Sequence, residues 1–112
     1  MILSPVELRH KLHQNPEIAY EEFRTTELII NSIKALPGSE QLKIHTPFPT
    51  GALVEYKVNV NPFLLFRADI DALPIKEENE IEFKSSNDYM HACGHDVHTS
   101  ILFALIKEVL EV

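Results

Sequence analysis

Between Met90 and Thr99 the chain gathers its single cysteine, three of its six histidines and an aspartate. Thiolate and imidazole are the side chains that bind zinc and other borderline transition metals. Cys93 and His95 stand two apart, too close to be neighbours on a helix face. From a loop they could address one ion, or two adjacent ones, and Gly94 between them lets the backbone bend tightly. A metal site is the first expectation. Earlier in the chain, Asp69 and Asp71 follow an apolar run and alternate as residues do in an extended segment, so both carboxylates would point the same way. In open α/β sheets the crevice beyond the carboxyl ends of strands is the usual ligand site. The two aspartates are therefore candidates for ligating a metal or orienting a metal-bound water. A turn, with Asp side chains accepting backbone N–H bonds, is the competing account of them. A second chemistry is open to Cys93: a nucleophilic thiol with His91, His95 or His98 as its base.

Length and charge bound what these residues can belong to. At 112 residues the chain has room for one small domain. The formal charge is −7, with no cluster of Lys and Arg, so neither nucleic acid nor an anionic membrane is an expected partner. One cysteine precludes an intrachain disulfide and fits a reducing compartment. No stretch approaches membrane-spanning length and no secretory pattern opens the chain. A soluble cytoplasmic protein is expected.

The elements that must position the cluster can be read in order. Ser4-Pro5-Val6-Glu7 is a helix start: Ser4 caps, Pro5 suits the first position, and Glu7 completes a capping box. Asn15-Pro16 ends that helix. Its Arg9, His10, Lys11 and His13 read as a solvated face near the negative end of the dipole. A second helix is expected from Tyr20 or Glu21 to Leu36, with Phe23, Thr26, Ile30 and Ile33 at helical spacing and Pro37-Gly38 as its stop. Leu42 to His45 alternates, Thr46 to Gly51 is turn-rich, and Ala52 to Val58 reads as a strand. Asn59 to Pro62 forms a turn, and Phe63 to Phe66 reads as a strand buried on both faces, paired antiparallel with the one before it. The acidic stretch from Ile75 to Tyr89 is expected as a surface loop anchored by Phe83, with Glu77-Glu78 a solvated charge pair. After the cluster, Ile101-Leu102, Leu105-Ile106 and Val109-Leu110 recur every four residues, as in a helix packed on a sheet.

Three of these motifs carry a family resemblance. Leu12-His13-Gln14-Asn15-Pro16-Glu17, then Arg67-Ala68-Asp69-Ile70-Asp71-Ala72-Leu73-Pro74-Ile75, then Met90 to Thr99, resemble in order and spacing the N-terminal part of a group of metal-dependent amidohydrolases. These include hippurate hydrolase, N-acyl-L-amino-acid amidohydrolases and plant auxin-conjugate hydrolases, within the wider carboxypeptidase/aminoacylase group of two-metal peptidases. The resemblance implies an α/β fold, part of a three-layer αβα zinc-peptidase-like catalytic domain. It would comprise two N-terminal helices, about three strands, the metal loop and a packed C-terminal helix. It also implies that Cys93 and His95 are metal ligands, and that Asp71 orients a ligand or a metal-bound water. The wider group has a histidine ligand where this chain has Asp69, which sets ligation by Asp69 in question.

The implied activity is metal-dependent hydrolysis of the amide bond of N-acyl or N-aroyl amino acids or small peptides. It would use two divalent ions per complete site (zinc, manganese, cobalt or nickel). Residues 1–112 correspond to roughly the first quarter of such an enzyme. The general-base glutamate, the remaining ligands and the lid domain would lie outside them, so this polypeptide alone is expected to bind metal weakly and not to turn over substrate. Exposed sheet surface would favour self-association. Two alternatives stand beside the hydrolase: a non-catalytic metal- or partner-binding module that borrows ligands from another copy, and a thiol enzyme built on Cys93.

Overall fold

The computed structural model describes residues 2–56 and 62–112. Helix α1, Pro5–Gln14, starts as its sequence dictates. The Glu7 N–H donates to Ser4 Oγ (3.1 Å), and the Ser4 N–H donates back to Glu7 Oε1 (3.0 Å). Two otherwise orphaned donors are satisfied reciprocally. Helix α2, Phe23–Lys34, begins later than the apolar spacing implies. Tyr20 has φ +69°, a left-handed conformation that cannot be part of a right-handed helix. The end of α2 is capped from a distance: Glu17 accepts the Thr25 N–H (2.6 Å) and the Arg24 N–H (3.3 Å). A carboxylate there satisfies first-turn donors and complements the dipole. Beyond the helix, Gly38 takes φ +86°, the left-handed conformation that glycine adopts at low cost after a helix end.

A short 3-10 turn, Ser39–Gln41, leads into strands β1 (Leu42–His45) and β2 (Leu53–Tyr56). They pair antiparallel in the register Leu42 with Tyr56 and Ile44 with Val54. Helix α3, His95–Leu110, closes the fold against α1. The core is built from both ends of the chain: Leu3, Leu8, Leu12, Ile33, Leu36, Phe103 and Leu110. Leu28, Ile29, Ile44, Val54 and Ile106 pack on its margin. Burying one such Leu fully contributes about 1.5–3 kcal/mol. No helix among the described residues is long and apolar enough to cross a membrane.

Three local expectations change. Phe63–Phe66 is not a strand among the described residues, and its side chains are 60–86 % exposed. The antiparallel partner of β2 is β1, and the expected turn residues Asn59–Asn61, with Lys57 and Val58 of the expected strand, lie outside the described residues. A continuous apolar run is a stable strand only when covered on both faces. Here it borders an open cavity of about 930 Å³ lined also by Ile33, Val54, Leu102 and Ile106. The third change is the rotation of α3. Its buried face is Asp96, Thr99, Ser100, Phe103 and Leu110, while Ile101 and Leu105 look outward.

Bridges outside the hairpin set the frame for the polar residues of the motifs. Ala72 donates its N–H to Glu17 O (2.8 Å), and Leu73 and Met90 exchange both backbone bonds (2.9 and 3.0 Å). The segment holding Asp69 and Asp71 is thereby pinned between the exit of α1 and the entry to α3. Truncation of fully buried Leu8 to Ala is expected to cost about 2–5 kcal/mol, whereas Ile101→Ala, at a 62 % exposed site, should stay within about 0.5 kcal/mol. Urea midpoints at constant slope measure both.

Candidate metal centre

Gly94 opens α3 with φ +89°. A Cβ built there would meet nothing within 4 Å, so backbone conformation alone favours glycine. This reversal turns Cys93 outward, exposed and free, and sends His95 into the first turn of the helix. His95 Nδ1 lies 2.8 Å from the Asp71 carbonyl oxygen. A carbonyl only accepts, so Nδ1 carries the proton and donates. Nε2 then keeps its lone pair, the arrangement of a metal-ligating histidine oriented by its other nitrogen. The Asp71 carboxylate is also close, with Oδ1 3.1 Å from Nδ1. Asp69 Oδ2 stands 3.7 Å from Nε2, near the spacing of two donors on one ion when each bond is about 2.0–2.2 Å. Thr99 fixes that segment by donating to Asp69 O (3.0 Å), and Arg67 pairs with the Asp69 carboxylate.

The donor chemistry therefore suits a divalent ion: an imidazole with one nitrogen committed, an exposed thiol two residues away, and a carboxylate facing the free nitrogen. It is only part of a coordination sphere. Among the described residues no group of three His, Cys, Asp or Glu side chains is placed to hold an ion, whereas zinc sites take three or four protein ligands. For a thiol enzyme, no histidine nitrogen hydrogen-bonds the Cys93 sulfur among the described residues. His98 is exposed, with its ring 6.4 Å from that of His95.

Behind this rim lies a second cluster where solvated side chains were expected. His13 is 3 % exposed, Glu77 2 % and Asp96 1 %. His13 Nδ1 is 2.8 Å from Asp96 Oδ2, and His13 Nε2 is 2.9 Å from Glu77 Oε2. Arg9 Nε donates to the same Asp96 oxygen (2.8 Å). Two carboxylates, an imidazole and a guanidinium thus meet in one pocket, with the Arg9 side chain, 29 % exposed, at its edge. Neither His13 on a solvated face nor Glu77 as a surface charge survives, because each finds a polar partner across the interior, while Arg9 stays partly exposed and pairs with Asp96. The i, i+4 spacing of Arg9 and His13 puts both on one side of α1; that spacing was the available signal. Phe83 does anchor its loop, stacked on His10 at 3.9 Å and under the Arg9 guanidinium at 4.8 Å.

Burial pushes the Glu77 carboxyl upward. Hydrogen bonds from His13, the Ser85 N–H and Asn79 more than offset that and hold it at about 2. His91 is buried with neither ring nitrogen bonded. Burial lowers its pKa, with His13 and His95 acting in the same direction against Asp96 and Asp71.

Comparison with known proteins follows the same lines. Residues 65–111 match the peptidase family M20/M25/M40. An uncharacterized hydrolase of Staphylococcus epidermidis is 46 % identical over 100 residues, 88 % of this chain and 25 % of that protein. An uncharacterized hydrolase of Staphylococcus haemolyticus is 43 % identical over 104 residues, 92 % of this chain and 26 % of that protein. The chain spans about a quarter of the length of these relatives. The fold is similar to that of the YXEP protein of Bacillus subtilis, a dinuclear metal binding peptidase from the M20 family. The TM-score is 0.85 at 36 % identity, covering 96 % of this chain and 30 % of that one.

The pKa values of His91 and Glu77 are depressed in the folded state, so each contributes stability that is present at higher pH and lost on acidification. For His91 the loss begins as pH falls below 6.5, its ordinary value. For Glu77 it begins below 4.5 and is complete near 2. Chemical denaturation across pH 7 to 2 should show two stages of weakening, with His91→Gln removing the upper one and Glu77→Gln the lower.

Proposed function

We propose that residues 1–112, which are similar to peptidases of the M20 family, form part of a catalytic domain for metal-dependent amide hydrolysis. In that domain His95 and Cys93 hold a divalent ion and Asp71 is the residue that orients the site. The supporting observation is the His95 ring, whose Nδ1–H is spent on the Asp71 carbonyl while Nε2 faces Asp69. An ion bound there supplies the positive charge that polarises an amide carbonyl and acidifies water. The chain's own part is to set the ligand. The Asp71 carbonyl fixes the tautomer, its carboxylate adds negative charge beside the ring, and the Thr99 bond keeps Asp69 at the rim.

The substrate class is the amide bond of N-acyl or N-aroyl amino acids or small peptides, and the ion is zinc, manganese, cobalt or nickel. The lone, exposed Cys93 suits a reducing cytoplasmic setting. A general-base glutamate and the remaining ligands come from other parts of the catalytic domain. This polypeptide by itself therefore binds metal weakly and does not turn over substrate. A second reading is favoured by the exposed Phe63–Phe66 run, which lines the same open cavity as Leu105. On that reading the chain is a non-catalytic module whose metal site is completed by another copy.

Cobalt(II) titration of the purified chain, followed by thiolate-to-cobalt absorption, tests the ligand assignment. Cys93→Ser should abolish the charge-transfer band, and His95→Gln should weaken binding at least tenfold. Unchanged binding in both variants would overturn the assignment. Metal that appears only with dimer on dilution would favour the second reading, and metal-dependent release of amino acid from N-acyl substrates by the chain alone would refute its inactivity.

A further inference from the structure

The buried His13 cluster is not needed to make a ligand set, yet it touches the residue next to the candidate ligand. Successive residues on a helix point about 100° apart. Fixing Asp96 inside therefore fixes where His95 points. Asp96 is held by two nitrogens from α1, Arg9 Nε and His13 Nδ1, both at 2.8 Å. Both ring nitrogens of His13 face carboxylate oxygens, so the ring bridges the two acids. Its other nitrogen reaches Glu77 at 2.9 and 3.1 Å. Glu77 is in turn gripped by the Ser85 N–H (2.7 Å) and Asn79 Nδ2 (3.2 Å). The chain of contacts runs from the acidic loop through α1 into the first turn of α3.

We propose that Glu77–His13–Asp96, with Arg9, is a positioning relay that sets the rotation of α3 and thereby aims the His95 imidazole across the Asp71 carbonyl. His13 and Glu77 are positioning residues, each acting through Asp96 and contacting no metal ligand themselves. The relay explains why the buried face of α3 begins with a charged residue although an apolar stripe was available at Ile101 and Leu105. It also explains why a polar group is kept in the interior, where a well-packed apolar substitute is often at least as stable. This inference rests on the metal-site reading for its purpose, but the geometry it asserts can be tested without metal.

The test is nitrogen-detected NMR of the His95 ring in the full chain, compared across His13→Gln, Glu77→Gln and the core control Leu36→Ala. In the wild-type chain His95 should show the Nδ1–H tautomer. The two relay variants should shift it towards the Nε2–H form, whereas Leu36→Ala should lower stability and leave the tautomer in place. Should His13→Gln not fold, Glu77→Gln, which keeps size and shape, carries the comparison. A His95 tautomer unchanged in a folded relay variant overturns the proposal. Zinc affinity of the same proteins separates the two readings. A ten- to hundredfold loss in the relay variants, the usual scale for groups that orient a ligand, supports the relay, and equal affinity in all of them defeats it. A wild-type chain that holds the tautomer but binds no zinc sinks the metal reading and leaves the positioning role standing.

Discussion

A buried imidazole clasped between two buried carboxylates is the constraint on which the other parts of this molecule depend. His13 joins Glu77, which is 64 residues away in sequence, to Asp96, which is 83 away. His13, Glu77 and Asp96 are all buried; taking an ion out of water costs several kcal/mol, and only near-ideal pairing offsets it. The pairing here is close to complete: each ring nitrogen of His13 has an acceptor, Asp96 Oδ2 has two donors, and Glu77 has three. One polar atom is left over, Asp96 Oδ1, beside a buried His91 with no bonded partner. Removing any one member would strand its opposite in a low-dielectric pocket. Such a cluster contributes less to stability than to a single arrangement of the helices around it.

The candidate centre inherits its geometry from that arrangement. Three independent ties meet at the Asp69–Asp71 segment: Thr99 on the Asp69 carbonyl, His95 on the Asp71 carbonyl, and the Ala72 N–H on Glu17. Glu17 does two jobs from one position, its carbonyl holding this segment while its carboxylate caps α2. The motif after α1 thus binds together the second helix and the rim of the site. The other side of the molecule is less finished. The hairpin, the apolar run Phe63–Phe66 and the outer face of α3 surround a cavity instead of closing a sheet. Apolar surface of this kind is normally covered.

Much of this was legible from residue order. The capping box of Ser4 and Glu7, the end of α1 at Asn15-Pro16, the stop at Gly38 and the helix after the cluster are local decisions. They are set by side chains three or four positions apart, and the structure follows them. The α/β class, the similarity to M20 peptidases and the meeting of His95 with Asp69 and Asp71 follow from motifs that occur in order. Less was legible where a rule of thumb about exposure stood in for a partner. Arg9 and His13 read as surface cations because such residues usually are, and Glu77 as a solvated acid for the same reason.

By itself, then, the sequence determined which segments are helical, where α1 starts and stops, and which residue types could grip a metal. Those outcomes depend on neighbours along the chain. Tertiary structure alone decided which face of α3 is buried, which charges leave water, and that His95 presents Nε2 and not Nδ1 to the rim. The reason is electrostatic: an ionisable group enters the interior only if its counter-charge arrives with it, and that counter-charge comes from a distant part of the chain.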